Sequence, residues 1–258
     1  MKHILFFTIL SILSNKAFAE QEIKLFFEDA DYYPYSMKNK TGLDLLLLDM
    51  VGKKIGVKFS YTPVPWERCL STIQSGDVDG CFSASFKEKR MENGDYPMAL
   101  GKADETKRLH TTSYSIFVRA EDVAKYKIKG LDIEGLNKDK DVIATTMGYS
   151  ITDDYKKAGY KVDDGGTRTD LNMNKLLKGR VSVFAAMTEE VDFYLERPEY
   201  KGKIIKLTPP VVDKAYYLML SKKFTSAHAD TAKKIWETIL EVRESKKFKE
   251  QSAAFLAK

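Results

Sequence analysis

Cysteine and histidine are scarce in this chain of 258 residues, which has two of the first and three of the second. Beyond residue 19 the histidines are only His110 and His228, and neither stands at zinc-ligand spacing from a partner. Nor do they suggest a base and an orienting group for catalysis. A glycine-flanked nucleophilic serine and a Ser/His/Asp arrangement are both missing. After residue 19 no apolar run reaches membrane-spanning length; Leu43 to Val51 comes nearest and is interrupted by Asp44 and Asp49. There is no low-complexity linker. Charge of one sign is not concentrated either: 42 Lys and Arg are interleaved with 37 Asp and Glu, for a net charge of +5. Such mixing reads as a solvated surface, not as a basic stripe for nucleic acid. These absences leave no call for a metal or cofactor and argue against a triad hydrolase, a nucleic-acid binder and a spanning membrane protein.

Residues 1–19 form a leader. Lys2 and His3 are a basic start, Ile4 to Leu13 an apolar run, and Ala17-Phe18-Ala19 offers the small residues a signal peptidase cuts behind. Cleavage after Ala19 is expected, which places the mature chain in the periplasm. In that oxidising compartment the pair Cys69 and Cys81 favours a disulfide. The competing reading is two small buried thiols.

A half-motif occurs twice: Gly76-Asp77-Val78-Asp79-Gly80-Cys81-Phe82 and Gly179-Arg180-Val181-Ser182-Val183-Phe184. Each follows a short amphipathic segment, so each reads as helix, glycine turn and apolar strand. The copies lie too far apart for a short-period array; two similar α/β lobes with a cleft between them fit better. Alternating apolar residues predict strands over 23–27, 57–61 and 80–83, with helices over Leu43–Lys54 and from Trp66, opened by Pro65. Strands alternating with helices imply parallel sheets. Further on, strands are expected over 113–118 and 141–146. A turn at Gly148-Tyr149-Ser150 should be followed by a helix through about Ala158, and a further helix should run to Leu177 with Asp170 as its N-cap. A helix over Thr188–Leu195, a strand over 215–220 and one long helix from Ala227 to Glu244 complete the reading. The strands at 113–118 and 215–220 form the two crossings of a hinge.

The stretch from Pro65-Trp66-Glu67-Arg68-Cys69 through Gly76, Asp79 and Gly80 to Phe86-Lys87-Glu88-Lys89-Arg90 and Tyr96-Pro97 resembles the extracellular solute-binding proteins of family 3. So do Tyr32 to Gly42 and Tyr216-Tyr217. The resemblance implies a type II periplasmic binding protein: two lobes, a two-strand hinge and an interlobe cleft. Lobe one would take residues 20–112 and 215–258, and lobe two residues 113–214. It also implies a clamp, expected to be monomeric, that closes on a small polar solute and delivers it to an ABC permease.

On that resemblance Arg90 holds the place of an arginine that grips a ligand carboxylate, for which a planar guanidinium is suited. Ser83 and Ser85 match positions offering hydroxyl and backbone groups, and strand alternation puts both on one face. Tyr32 matches an aromatic lining position. Trp66 is either a wall of the cleft or part of a buried helix face. Gly148, Tyr149 and Ser150 match a turn that meets the ligand, with Met187 and Thr188 opposite. Where amino-acid binders carry an acid for the α-amino group, this sequence has Met187. Glu189 and Glu190 nearby read as exposed first-turn acids. Two other functions share the scaffold: a sensory binding protein that docks on a receptor, and an exported cyclohexadienyl-dehydratase-like enzyme. The enzyme would work through a lone carboxylate such as Asp29, Asp31 or Glu67.

Overall fold

The computed structural model describes residues 21–257, so the expected leader lies outside the described residues. Strand β1 (Gln21–Glu28) alternates as expected: Ile23, Leu25 and Phe27 are fully buried on one face. Helix α1 (Leu43–Ile55) covers that face with Leu47, Leu48 and Val51. Strand β2 (Val57–Val64), helix α2 (Trp66–Ser75) and strand β3 (Gly80–Ser85) complete the first unit, with β2 and β3 both parallel to β1. Cys69 on α2 and Cys81 on β3 are bridged, S–S 2.14 Å, tying helix to strand. The bridge spans a sequence separation of 12. Closing so short a loop removes chain entropy from the unfolded state worth roughly 2–3 kcal/mol.

The second unit repeats this plan. After β4 (His110–Arg119) come β5 (Val142–Thr146), α3 (Ser150–Lys157), β6 (Lys161–Gly166), α4 (Thr169–Leu177), β7 (Val183–Met187) and α5 (Thr188–Leu195). Strands β6 and β7 flank β5 in parallel. Short β8 (Ile204–Lys206) adds to β4, and β9 (Val212–Ser221) returns the chain. All belong to a ten-stranded sheet whose main path runs β6-β5-β7-β4-β9-β3-β1-β2, with β8 on β4 and the two-residue strand Gly94–Asp95 on β9 off that path. Strands β4 and β9 join its halves: they pair with each other from Val212↔Tyr114 to Tyr216↔His110, while β4 also pairs with β7 and β9 with β3. These are the two hinge crossings of a two-lobed α/β fold. The helices α6 (Lys222–Ala227), α7 (Ala229–Glu244) and α8 (Lys246–Leu256) close the chain, and Ile235, Ile239 and Val242 of α7 pack into the same core as α1.

Two local expectations need correction. The helix expected from Ala227 to Glu244 is broken at His228, whose φ −137° and ψ 48° are not helical. Ser221 caps the short α6 through the Phe224 N–H, and α7 then restarts with its apolar stripe turned toward α1. Asp170 is not the N-cap of α4. Arg168 holds that place, and Asp170 sits inside the first turn, accepting from Arg168 Nε at 3.0 Å.

Candidate functional site

Glu28 ends β1, Trp66 opens α2, Ser85 ends β3, Ser150 opens α3 and Met187 ends β7. The two lobes therefore bring strand C-termini and helix N-termini to one place beside the hinge, where open α/β sheets bind ligands. An apolar cluster shared by both lobes underlies it, including Tyr32, Trp66, Tyr114, Tyr149, Met187 and Tyr216.

Arg90 is the centre of this place and is only 4 % exposed. Its Nη1 donates to Ser85 O at 2.6 Å and Ser85 Oγ at 2.9 Å. Its Nη2 crosses to the other lobe and donates to Gly148 O at 2.7 Å. The guanidinium also lies over the Trp66 ring, 5.1 Å from its centroid. Among the described residues no carboxylate comes within ion-pair distance of it. A buried cation held only by neutral acceptors retains a strong preference for an anion. Lys87 adds a second link between the lobes, 2.8 Å from Asp153 and 3.3 Å from Tyr149 O.

Tyr32, Trp66, Ser83, Ser85, Arg90, Tyr149 and Met187 all border one interior pocket of about 20 Å³. That is room for about one water molecule. Gly148 joins the site through its carbonyl. Ser83 takes φ +56° and gives its hydroxyl to Asp44 Oδ2 at 2.5 Å, so that hydroxyl faces the lobe and not the pocket. Ser150 accepts from Lys214 Nζ at 3.1 Å, and Thr188 lies 2.8 Å from Ser115 Oγ; neither borders the pocket. Trp66 is both core and wall. It is 7 % exposed, lines the pocket, and its indole Nε1 is buried with no partner among the described residues.

Glu190 corrects the reading of exposed first-turn acids. It is 1 % exposed, accepts from Thr169 Oγ1, and leaves Oε2 buried without a partner. The histidine reading changes as well, because His110 Nδ1 lies 2.8 Å from Asp44 Oδ1 and its ring stacks on Tyr35 with centroids 3.6 Å apart. Ser83 bonds to the Asp and not to His110, whose Nε2 lies 3.4 Å from the Tyr32 hydroxyl. Glu28 was missed altogether. Its Oε2 accepts from Tyr149 OH at 2.7 Å across the lobes. Its signal was available, since strand alternation with Phe27 in the core turns Glu28 to the opposite face. Tyr114, whose hydroxyl lies 2.6 Å from that of Tyr216, had no such signal.

Burial pushes the Glu28 carboxyl up to about 7, aided by Asp29 and Glu67 and opposed by the Tyr149 hydrogen bond and Arg90. Burial and the Glu28 charge push Glu190 to about 8, against the Thr169 hydrogen bond. Rising pH ionises these glutamates first in the unfolded chain, so above the ordinary carboxyl range the folded state holds the extra protons. Stability then falls as pH rises through the window from about 4.5 to about 8. Melting temperature is expected to drop over that window, and the slope should flatten in Glu28→Gln/Glu190→Gln. A slope unchanged in the double variant would refute the burial of these groups.

Outside the pocket the lobes flank a cleft of about 810 Å³, bordered by Glu28, Asp29, Trp66, Glu67, Arg168 and Arg197 among others. Gly148 (φ +77°) packs against the opposite lobe so closely that a Cβ there would stand 2.1 Å from Glu67 Oε1 and 3.0 Å from Trp66 Cδ1.

Comparison with known proteins gives a match to the model of the bacterial extracellular solute-binding proteins, family 3, over residues 26–258. A search of curated protein sequences gives no match. Among solved structures, an ancestral arginine-binding protein bound to glutamine is similar with TM-score 0.70 and 18% identity, covering 93% of this chain and 99% of that one. A histidine kinase sensor domain similar to periplasmic binding proteins has TM-score 0.72 and 14% identity, covering 92% and 96%. An amino acid ABC transporter substrate-binding protein from Streptococcus pneumoniae bound to L-arginine has TM-score 0.68 and 15% identity, covering 92% and 94%. At such identities the likeness establishes the fold.

Proposed function

The chain belongs to the bacterial extracellular solute-binding proteins of family 3, and from that premise we propose that it is a non-catalytic periplasmic clamp for a small carboxylate-bearing solute. The lobes of the clamp are residues 20–112 with 215–258, and residues 113–214. One observation carries the reading: Arg90, buried at the meeting of the lobes, has neutral acceptors and no carboxylate partner among the described residues. In the closed arrangement Gly148 O takes one of its donors. A solute carboxylate would replace that carbonyl and offer two charged acceptors to the fork of the guanidinium. The pocket is too small for a solute while Tyr149 stands on Glu28, so binding begins from the open state. Closure then follows because each lobe supplies part of the shell.

Delivery to an ABC permease, by a monomer, is the reading favoured for the closed form; the Streptococcus pneumoniae relative is named for that role. A thermal-shift screen of the purified protein against amino acids, organic acids, short peptides and neutral sugars tests the clamp. A stabilising shift confined to carboxylates is expected. A shift with a neutral sugar and with no carboxylate would refute it.

A further inference from the structure

We propose that lobe one holds a second small-molecule site, between helix α8 and the start of β4, and that it takes an amphipathic anion with an alkyl or aryl body and one acidic head. The site is independent of the carboxylate clamp. A hollow of about 470 Å³ lies there, of the size that binds small ligands. It shares no lining residue with the Arg90 pocket or the interlobe cleft. His110 borders the hollow and stacks on Tyr216, which borders the Arg90 pocket, with ring centroids 5.1 Å apart.

The body of the hollow is apolar. Leu109 and Phe248 are buried in the core of lobe one, Leu43 and the Tyr35 ring border the same space, and Leu256 of α8 is 50 % exposed beside it. Tyr35 is fixed by stacking on His110 and by donating its hydroxyl to Thr111 O at 3.2 Å. The bordering charge is mostly positive. Arg243 donates to Arg108 O and, at 2.9 Å, to Thr106 O, which sets the two arginines together. Arg243 and Lys249 share one carboxylate, Glu244, at 3.0 and 3.1 Å. Arg108 has no carboxylate among the described residues, and its Nη1 donates only to Glu105 O at 2.8 Å. The one acid that borders the hollow, Asp44, is buried and has both oxygens committed, to His110 and to the Ser83 hydroxyl. An anion placed here meets an excess of positive charge.

A second observation points to a polar group in the occupant. Ser252 borders the hollow, and its hydroxyl oxygen is buried without a hydrogen-bond partner among the described residues. Buried polar atoms left unpaired are uncommon and call for a partner. An acidic head offers acceptors to such a hydroxyl and to a guanidinium alike. A second copy of the chain would need a broad face, about 800 Å² per partner. Of the large apolar side chains exposed among the described residues, Leu256 alone borders the hollow; Met98, Leu100, Val123, Met147 and Leu171 lie elsewhere. A concave apolar body with basic groups beside it therefore fits a small molecule.

Calorimetry with the purified protein tests the site through three probes of one chain length: octane-1-sulfonate, octan-1-ol and octylammonium. The sulfonate is expected to bind at least about tenfold more tightly than the alcohol, and the ammonium not at all. Arg90→Ala should bind the sulfonate as the wild type does, which separates this site from the clamp. Arg108→Gln should bring sulfonate affinity down toward that of the alcohol, while the backbone carbonyl at 108 keeps its bond from Arg243. Ala253→Glu, at an exposed position of α8 that borders the hollow, should abolish sulfonate binding by adding a negative charge there. Equal binding of sulfonate and alcohol would overturn the proposal, as would sulfonate affinity untouched by both Arg108→Gln and Ala253→Glu. Loss of sulfonate binding in Arg90→Ala would also overturn it, because the probe would then be occupying the clamp. Binding of none of the probes would overturn it as well, and a dimer in solution that Leu256→Glu separates would then give the hollow to a second copy.

Discussion

Arg90→Ala is expected to abolish solute-induced stabilisation while leaving the unliganded fold intact. The guanidinium is the one buried cation of the site, and its fork would hold the solute carboxylate in a space closed to water. Truncating one partner of a buried charge pair costs about 2–5 kcal/mol, which corresponds to roughly 30-fold to several-thousand-fold in affinity. The fold should survive because little else depends on the side chain. Ser85 O keeps the Tyr96 hydroxyl at 3.0 Å, and the cores under α1 and α4 contain no part of Arg90. Arg90→Lys should be intermediate, since an ammonium keeps the charge and loses the paired donors. Calorimetry with whichever carboxylate shifts the wild type decides the matter. Wild-type affinity in Arg90→Ala would remove Arg90 from the site.

Those parts of the fold that follow apolar alternation were legible. Ile23, Leu25 and Phe27, the Leu-rich α1 and the paired glycine-strand units all carry their burial in the order of the residues. The hinge strands were read short at their polar ends. Thr111, Thr112 and Ser113 pair with Ala215, Lys214 and Asp213 in the crossing between lobes, where the ladder is held by backbone bonds and no apolar pattern marks it. Strand β6 was missed for a related reason, because Lys161-Val162-Asp163-Asp164-Gly165-Gly166 is an edge strand with nothing but Val162 to show for it.

In the site, the residues that sequence spacing could group are those sharing one element. Ser83 and Ser85 on β3, with Arg90 just after it, border a single pocket, although the Ser83 hydroxyl turns to Asp44. Partners from different elements were beyond reach: the Asp44–His110 pair joins α1 to β4, and Tyr149 meets Glu28 across the lobes. Glu190 shows the same limit. Its sequence context is that of any acid in the first turn of a helix, and only the packing of α5 against Thr169 of α4 buries it.

Gly148→Val should hold the clamp open. Residue 148 has φ +77°, a region in which a β-branched residue is a genuine outlier. That strain, about 1–2 kcal/mol, falls on open and closed forms alike. The packing cost does not. Glu67 Oε1 ends a flexible, exposed side chain and can swing away from a new Cβ, but Trp66 is fixed in the shared core and its Cδ1 would be 3.0 Å distant. Branched methyl groups enlarge that overlap, and overpacking of this kind costs about 1–3 kcal/mol, here only when the lobes meet. The Arg90 bond to Gly148 O and the Lys87 contacts with Tyr149 O and Asp153 would be lost with closure. The bare closed form has room for about one water and excludes the solute, so this penalty is read from the shape of the unliganded protein. Small-angle scattering should show a larger radius of gyration for the variant than for the wild type, with Gly148→Ala between them. A variant as compact as the wild type would mean that Gly148 does not set the closing distance between the lobes.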